Sequence, residues 1–281
     1  MNGAVIFAQQ NKELDYIKLA VFAAERVKKY LNIPVSIITD APGYLNNAFK
    51  DHVFDRVIEL PTTNNDQGKV FFDGSLSKKH LPWKNQARNS VYNLTPYDRT
   101  LVIDSDYIIS SPILKSAIDN GHEFQIYQKH LDLSPHRNND NLVRLSPYSI
   151  PFYWATTFIF NKNPLMEDFF NLVEYIKINW GYFKTLYNFD SAIFRNDHAF
   201  SIAIHIMNGK TNGEFATELP GKMIFSSDKD LLISIDDANM RFLIEKKDYL
   251  GEYTLAKTSG LDVHILNKFS LDRFITGGSG V

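Results

Sequence analysis

Arg99-Thr100-Leu101-Val102-Ile103-Asp104-Ser105-Asp106 is an apolar run that opens directly into two carboxylates separated by a single residue. In extended geometry side chains i and i+2 point the same way, so Asp104 and Asp106 face together. Hard divalent cations such as Mn²⁺ or Mg²⁺ take oxygen ligands and bridge to diphosphates. In an open α/β sheet, ligands bind at the carboxyl ends of the strands. Residue type and position thus point to a metal site, with a polar cap on a strand end as the alternative. A second such triplet, Asp228-Lys229-Asp230, follows Ser226-Ser227 in a polar stretch and reads as a solvated turn.

Working outward, Ala4-Val5-Ile6-Phe7-Ala8 reads as a first strand that ends in the polar loop Gln9-Gln10-Asn11. A helix is predicted from Leu14 to Leu31, because Ile17, Ala20, Val21, Ala24, Val27 and Leu31 form one stripe. Lys18, Glu25, Arg26, Lys28 and Lys29 lie off that stripe. Pro34 ends the helix, and Val35-Ser36-Ile37-Ile38 reads as a second strand closed by Thr39-Asp40. Strand, helix and strand with short joints make a βαβ unit and a parallel sheet. Arg56 to Leu60 is a third strand.

Pro61 to His80 reads as a long polar loop, and Trp83 to Leu94 as a helix. Beyond the Asp-x-Asp strand come a short strand at Gln125-Ile126-Tyr127, a polar loop from Asp132 to Ser149 and a strand from Phe152 to Phe160. Helices are predicted from Leu165 to Ile178 and from near Asp197. The last third looks less regular. A single catalytic domain over residues 2–275 is expected, with Thr276 to Val281 as a flexible tail.

The chain has 281 residues, 44% hydrophobic and 22% charged, which excludes a fully disordered chain. It has no cysteine, which excludes disulfides, thiolate metal centres and a cysteine nucleophile. No apolar stretch reaches the ~18 residues a membrane helix needs. The start, Met1-Asn2-Gly3-Ala4, has no basic region, which argues against a signal peptide. With 30 basic and 32 acidic residues, the net charge of −2 gives no global pull toward nucleic acid or anionic lipid. Of the 14% aromatic residues, most should pack cores, and some can stack on a sugar or a base.

Four stretches stand together as a pattern. They are Ala4 to Asn11; Arg88 through Leu94-Thr95-Pro96-Tyr97 to Asp104-Ser105-Asp106; Phe152-Tyr153-Trp154-Ala155-Thr156-Thr157-Phe158-Ile159-Phe160; and His264-Ile265-Leu266-Asn267-Lys268. In this order they resemble the nucleotide-sugar glycosyltransferases of the GT-A fold, most nearly glycosyltransferase family 8. The chain also resembles glycosyltransferase-like proteins encoded by tailed bacteriophages. The third stretch lacks the family's Asn and Gly. The fourth lacks the family's Gly, and Lys268 lies closer to His264 than is usual. Arg88 stands where Lys is usual.

The resemblance implies an α/β fold with a central mixed sheet flanked by helices. It implies Mn²⁺ or Mg²⁺ on Asp104, Asp106 and His264, with Lys268 and Arg88 on phosphate. Ala8, Gln9 and Ser105 fall in its donor-binding segments. Asp197 and Asp190 are the candidate catalytic carboxylates, and Asp40 is a candidate for the nucleobase or ribose. Each residue has a plainer alternative. His264 can be a satisfied buried histidine, Lys268 a surface lysine, Arg88 an exposed helix residue, Asp197 an N-cap and Asp40 a turn cap. Trp154 can stack on a sugar face, though core packing is its default. Lys78-Lys79-His80, Lys84 and Arg88 concentrate positive charge, either for an anionic ligand or as a helix face.

The expected activity is metal-dependent hexosyl or pentosyl transfer from a UDP-sugar to an acceptor hydroxyl on a glycan, protein or modified DNA, by a cytoplasmic enzyme (host cytoplasm if phage-encoded). A DNA-modifying glycosyltransferase acting on a hydroxymethylated base, a nucleotidyltransferase and an inactive sugar-nucleotide-binding protein are the alternatives. Gln9-Gln10-Asn11 lacks the Gly-rich phosphate loop that a nucleotidyltransferase normally carries after its first strand.

Overall fold

Asp15 accepts the Lys18 backbone N–H at 3.0 Å, and Asn32, in the left-handed conformation, closes the same helix. Between them runs α1 (Tyr16–Leu31), flanked by β1 (Asn2–Ala8) and β2 (Val35–Thr39). The structure is a computed structural model that describes residues 1–11, 13–61, 67–84, 87–146, 149–188, 193–247 and 250–277. After β2 come α2 (Pro42–Ala48), β3 (Arg56–Glu59), β4 (Gly68–Asp73), β5 (Ser77–Pro82), a 3₁₀ turn at Arg88–Ser90 and α3 (Val91–Leu94). The middle of the chain forms β6 (Arg99–Asp104), β7 (Tyr107–Ile108), α4 (Ile113–Asp119), β8 (Phe124–Tyr127), β9 (His130–Asp132) and β10 (Trp154–Asn161). Then follow α5 (Pro164–Ile178), α6 (Trp180–Leu186), α7 (Asn196–Met207), β11 (Thr217–Glu218) and β12 (Met223–Ser226). The last elements are β13 (Leu231–Asp236), β14 (Asn239–Glu245), β15 (Tyr253–Ser259), β16 (Val263–Ile265) and α8 (Lys268–Gly277).

The main sheet has the order β11-β8-β10-β6-β1-β2-β3. Its pairs are parallel except where β10 runs antiparallel between β6 and β8. This is the α/β architecture, a central mixed sheet flanked by helices, that the GT-A resemblance implies. β1 and β6 sit at its centre in register, with Phe7 beside Asp104. Gly3 on β1 lies under Tyr97, whose ring would be 2.5 Å from an added Cβ, so only glycine fits there. Beside β10, Phe124, Phe158, Phe169, Phe170 and Phe200 pack ring on ring, with centroids from 4.8 to 6.2 Å apart. Much of the aromatic content is therefore core.

A smaller sheet, β7-β16-β12-β9, stands beside the end of β6. Its β7 strand follows the Asp-x-Asp turn directly and pairs antiparallel with β16, placing His264 opposite Tyr107. That pairing brings a residue far along the chain to the carboxylates.

Several expectations change. The expected loop from Pro61 to His80 contains the antiparallel hairpin β4–β5, with residues 62–66 outside the described residues. Gly74, at φ +74°, makes its turn. The expected helix from Trp83 to Leu94 shrinks to the 3₁₀ turn and α3, because Pro82 and Trp83 belong to the end of the hairpin. The last third is more regular than expected: β13, β14 and β15 form an antiparallel sheet.

Arg26, expected on the solvent face of α1, is buried and donates to Ile109 O and Ser110 Oγ at 2.9 and 2.8 Å. Asp228-Lys229-Asp230 is a turn but not a solvated one. Asp230 is 1% exposed, and Arg137 bridges it to Asp132. α8 extends through Gly277, so it takes in the first residues of the expected flexible tail, and 278–281 lie outside the described residues.

Candidate active site

A cleft of about 250 Å³ opens at the carboxyl ends of β1 and β6, the edge where an α/β sheet places its ligands. Phe7 and Gln9 reach it from the end of β1, and Asp104, Ser105 and Asp106 from the end of β6. Other walls come from β10, the start of α7, β16, the first residue of α8 and the β4–β5 hairpin.

Asp106 is almost fully enclosed, at 2% exposure. Its Oδ2 lies 2.5 Å from Lys268 Nζ and 3.2 Å from His264 Nε2. Burial pushes its carboxyl up, but Lys268 and then His264 outweigh that and hold it well below the usual carboxylate range. The Ile265 N–H donates to Asp106 O at 2.9 Å, which ties β16 to this turn.

Asp104 is held differently. Arg88 ion-pairs with its Oδ1 and also donates to Ala155 O at 3.1 Å. Arg88 is thus a 1%-exposed brace between β6 and β10 rather than an exposed helix residue. Burial lowers it to about 10, against the attraction of Asp197 and Asp106. Removing water from a guanidinium is tolerable only with such partners.

One ligand atom each from Asp104, Asp106 and His264 lies within 4.8 Å of the others. Two carboxylates and an imidazole suit Mn²⁺ or Mg²⁺, and the span fits a single ion. His264 is 5% exposed, and its Nδ1 has no hydrogen-bond partner among the described residues. Lys268 already occupies the place of a cation against Asp106. The donor set therefore fits a divalent ion on the observed chemistry.

The other expected residues divide. Gln9 and Ser105 line the cleft, whereas Ala8 and Asp40 are not among its lining residues. Asp40 accepts from the Gln10 backbone N–H at 2.7 Å and from Lys84 Nζ at 2.9 Å, so it shapes the loop after β1. Asp197 lines the cleft but is not the N-cap, a place taken by Arg195. Its Oδ1 accepts the Ala155 N–H at 2.9 Å and its Oδ2 pairs with Arg195 at 2.8 Å, so both oxygens are engaged. Trp154 packs against Phe152, Phe225 and His130, which bears out core packing, and contributes only a 3%-exposed surface to the wall. Asp190 lies outside the described residues.

The expected basic group does not form one helix face. Lys79 pairs with Glu13, Lys84 with Asp40 and Arg88 with Asp104. Sequence reasoning missed Lys69 and Arg195, which both line the cleft. Lys69 gives no local signal, because its strand buries only Phe71 and shows no apolar period. Arg195 carries a signal, since it lies two residues before the acid at the start of a predicted helix.

No family model and no curated protein matches the chain. Among solved structures, the chain is similar to the glycosyltransferase GlyE of Streptococcus pneumoniae TIGR4, at 11% identity and a TM-score of 0.42. That match covers 78% of this chain and 45% of GlyE, so it spans less than half of the neighbour. The galactosyltransferase LgtC, in complex with donor and acceptor sugar analogues, is 13% identical, with 78% of this chain and 73% of LgtC covered and a TM-score of 0.45. The inositol-1-phosphate CTP transferase of T. maritima is 10% identical, with 78% and 85% covered and a TM-score of 0.45. Glycosyltransferases and a nucleotide transferase thus stand side by side among the neighbours.

Proposed function

We propose that the chain is a metal-dependent glycosyltransferase that moves a sugar from a nucleoside diphosphate sugar, UDP-linked in the first instance, to an acceptor hydroxyl. One observation carries this: Asp104, Asp106 and His264 bring their donor atoms within 4.8 Å of one another in a strand-end cleft lined by cations. Residues 2–275 serve as one catalytic unit on this view.

Asp104, Asp106 and His264 would hold a divalent ion, Mn²⁺ or Mg²⁺, which when bound would supply Lewis-acid neutralisation of the diphosphate. Arg88 holds Asp104 through its Oδ1, which would leave Oδ2 available to a ligand. Lys268 meets phosphate charge beside it, which favours departure of the diphosphate. Gln9 and Ser105 line the floor where the nucleoside lies. Asp197 holds Arg195 and the start of α7 in place and is the described carboxylate nearest in role to a sugar-facing acid. The absence of a Gly-rich loop after β1 favours glycosyl over nucleotidyl transfer. The acceptor is a glycan, a protein or a modified base.

The test is a thermal-shift panel of nucleotide sugars with and without Mn²⁺, followed by product analysis. A ligand that binds only the native state raises the melting temperature by mass action. A UDP-sugar should raise it only with Mn²⁺ present, and release of UDP should need the same ion. If no nucleotide sugar raises it in the presence of Mn²⁺, the proposal fails.

A further inference from the structure

Charge pairing around the cleft leaves one cation over. Arg88, Lys268, Arg195 and Lys84 line it and have carboxylate partners in Asp104, Asp106, Asp197 and Asp40. Lys69 also lines it and has no ion pair with any described residue. It stands on β4, in the hairpin rather than in the main sheet. Its Nζ lies 5.5 Å from the centroid of the Phe71 ring, and Lys268 Nζ lies 6.0 Å from the same centroid. One buried ring thus has two ammonium groups within 6.0 Å of its centroid, and both lysines line the cleft.

The hairpin is fixed in that place. Arg273 of α8 makes two hydrogen bonds to Asp73, at 2.6 and 2.8 Å, and Phe71 and Leu81 pack with Leu14 and Phe269. Lys69 keeps exposed surface along its length, yet its ammonium is crowded by protein. That crowding, then Lys268 and Arg195, pull it down to about 8. Asp228 and Asp106 offset part of that repulsion, but neither forms an ion pair with Lys69, and an anion beside its ammonium would relieve the rest.

We propose that Lys69 binds the terminal phosphate of a nucleoside diphosphate, beside Lys268. This rests on the function proposed above and adds a ligand contact from the hairpin. It predicts discrimination by phosphate number: a nucleoside monophosphate has no β-phosphate for Lys69 to hold.

The test is calorimetric titration of the full chain with UDP and with UMP in the presence of Mn²⁺, for the wild type, Lys69→Met and Lys69→Arg. Lys69→Met should weaken UDP about tenfold and leave UMP unchanged, and Lys69→Arg should recover most of the loss. Equal UDP affinity in wild type and Lys69→Met overturns this inference alone. Equal weakening of UDP and UMP overturns it too, because the contact would then not be with the terminal phosphate. If the wild type binds none of UDP, ADP, GDP and CDP with Mn²⁺, the proposed function falls and takes this inference with it.

Discussion

Lys268 Nζ lies 2.5 Å from Asp106 Oδ2, so a cation already rests on the carboxylate that a metal ion would use. The ammonium and a dication compete for one buried oxygen. Lys268→Met should lower metal-free stability by up to ~3–5 kcal/mol, the cost of a buried charge deprived of its partner, with His264 offsetting part of it. Mn²⁺ should then raise the melting temperature of the variant more than that of the wild type. Equal shifts in the two proteins would contradict the competition.

Asp104→Asn keeps the shape of the side chain and removes its charge. Mn²⁺ affinity should fall by at least ~100-fold, since a change even in the partners of metal ligands costs ~10–100-fold. Calorimetric titration with Mn²⁺ measures this directly, and metal-stimulated UDP release should fall with it.

Asp262 is 6% exposed, and burial raises its carboxyl to about 6, against the opposing hydrogen bonds of Ser110 and Ser111. Its folded pKa thus exceeds the unfolded value of about 3.9. Between the two values the native state holds more protons, so stability falls as pH rises from about 4 to about 6. The loss should be on the order of 2–3 kcal/mol. Urea unfolding across that range should show the slope in the wild type and a flatter profile in Asp262→Asn.

UDP affinity should fall as pH rises through about 8, where Lys69 loses its proton. The charged groups acting on that ammonium are Lys268, Arg195, Asp228 and Asp106. Titrations between about pH 7 and 9 should show the fall in wild type, and Lys69→Met should flatten it. A profile unchanged by the substitution would assign the pH dependence elsewhere.

Arg137 bridges Asp132 and Asp230, whose side chains are 3% and 0% exposed. Arg137→Met leaves two buried carboxylates facing each other. Unfolding in urea should show a loss of ~3–5 kcal/mol. Adding Asp230→Asn should recover part of it, because the repulsion then disappears.

The central sheet was legible because its middle strands hold unbroken apolar runs, as Ala4 to Ala8 and Leu101 to Ile103 show. The Asp-x-Asp turn was legible because its carboxylates break such a run abruptly. The hairpin was not, since within each of its strands only Phe71 and Leu81 are buried, too few to set a period. In β14 the signal existed: Met240, Phe242 and Ile244 alternate and are buried, though flanking charges mask them. Arg88 shows the limit of a local view. Its burial depends on Asp104 and on carbonyls of β10, and no short window contains all three.

Lys268 opens α8, and five residues later Arg273 of the same helix grips Asp73 of the hairpin. A single short rod therefore bears both the ammonium on Asp106 and the latch on the strand that carries Lys69. Sliding or fraying of that rod would withdraw one ammonium and unseat the other in a single motion. Whatever occupies the cleft is accordingly linked to the docking of this helix, and filling the one should slow amide exchange in the other.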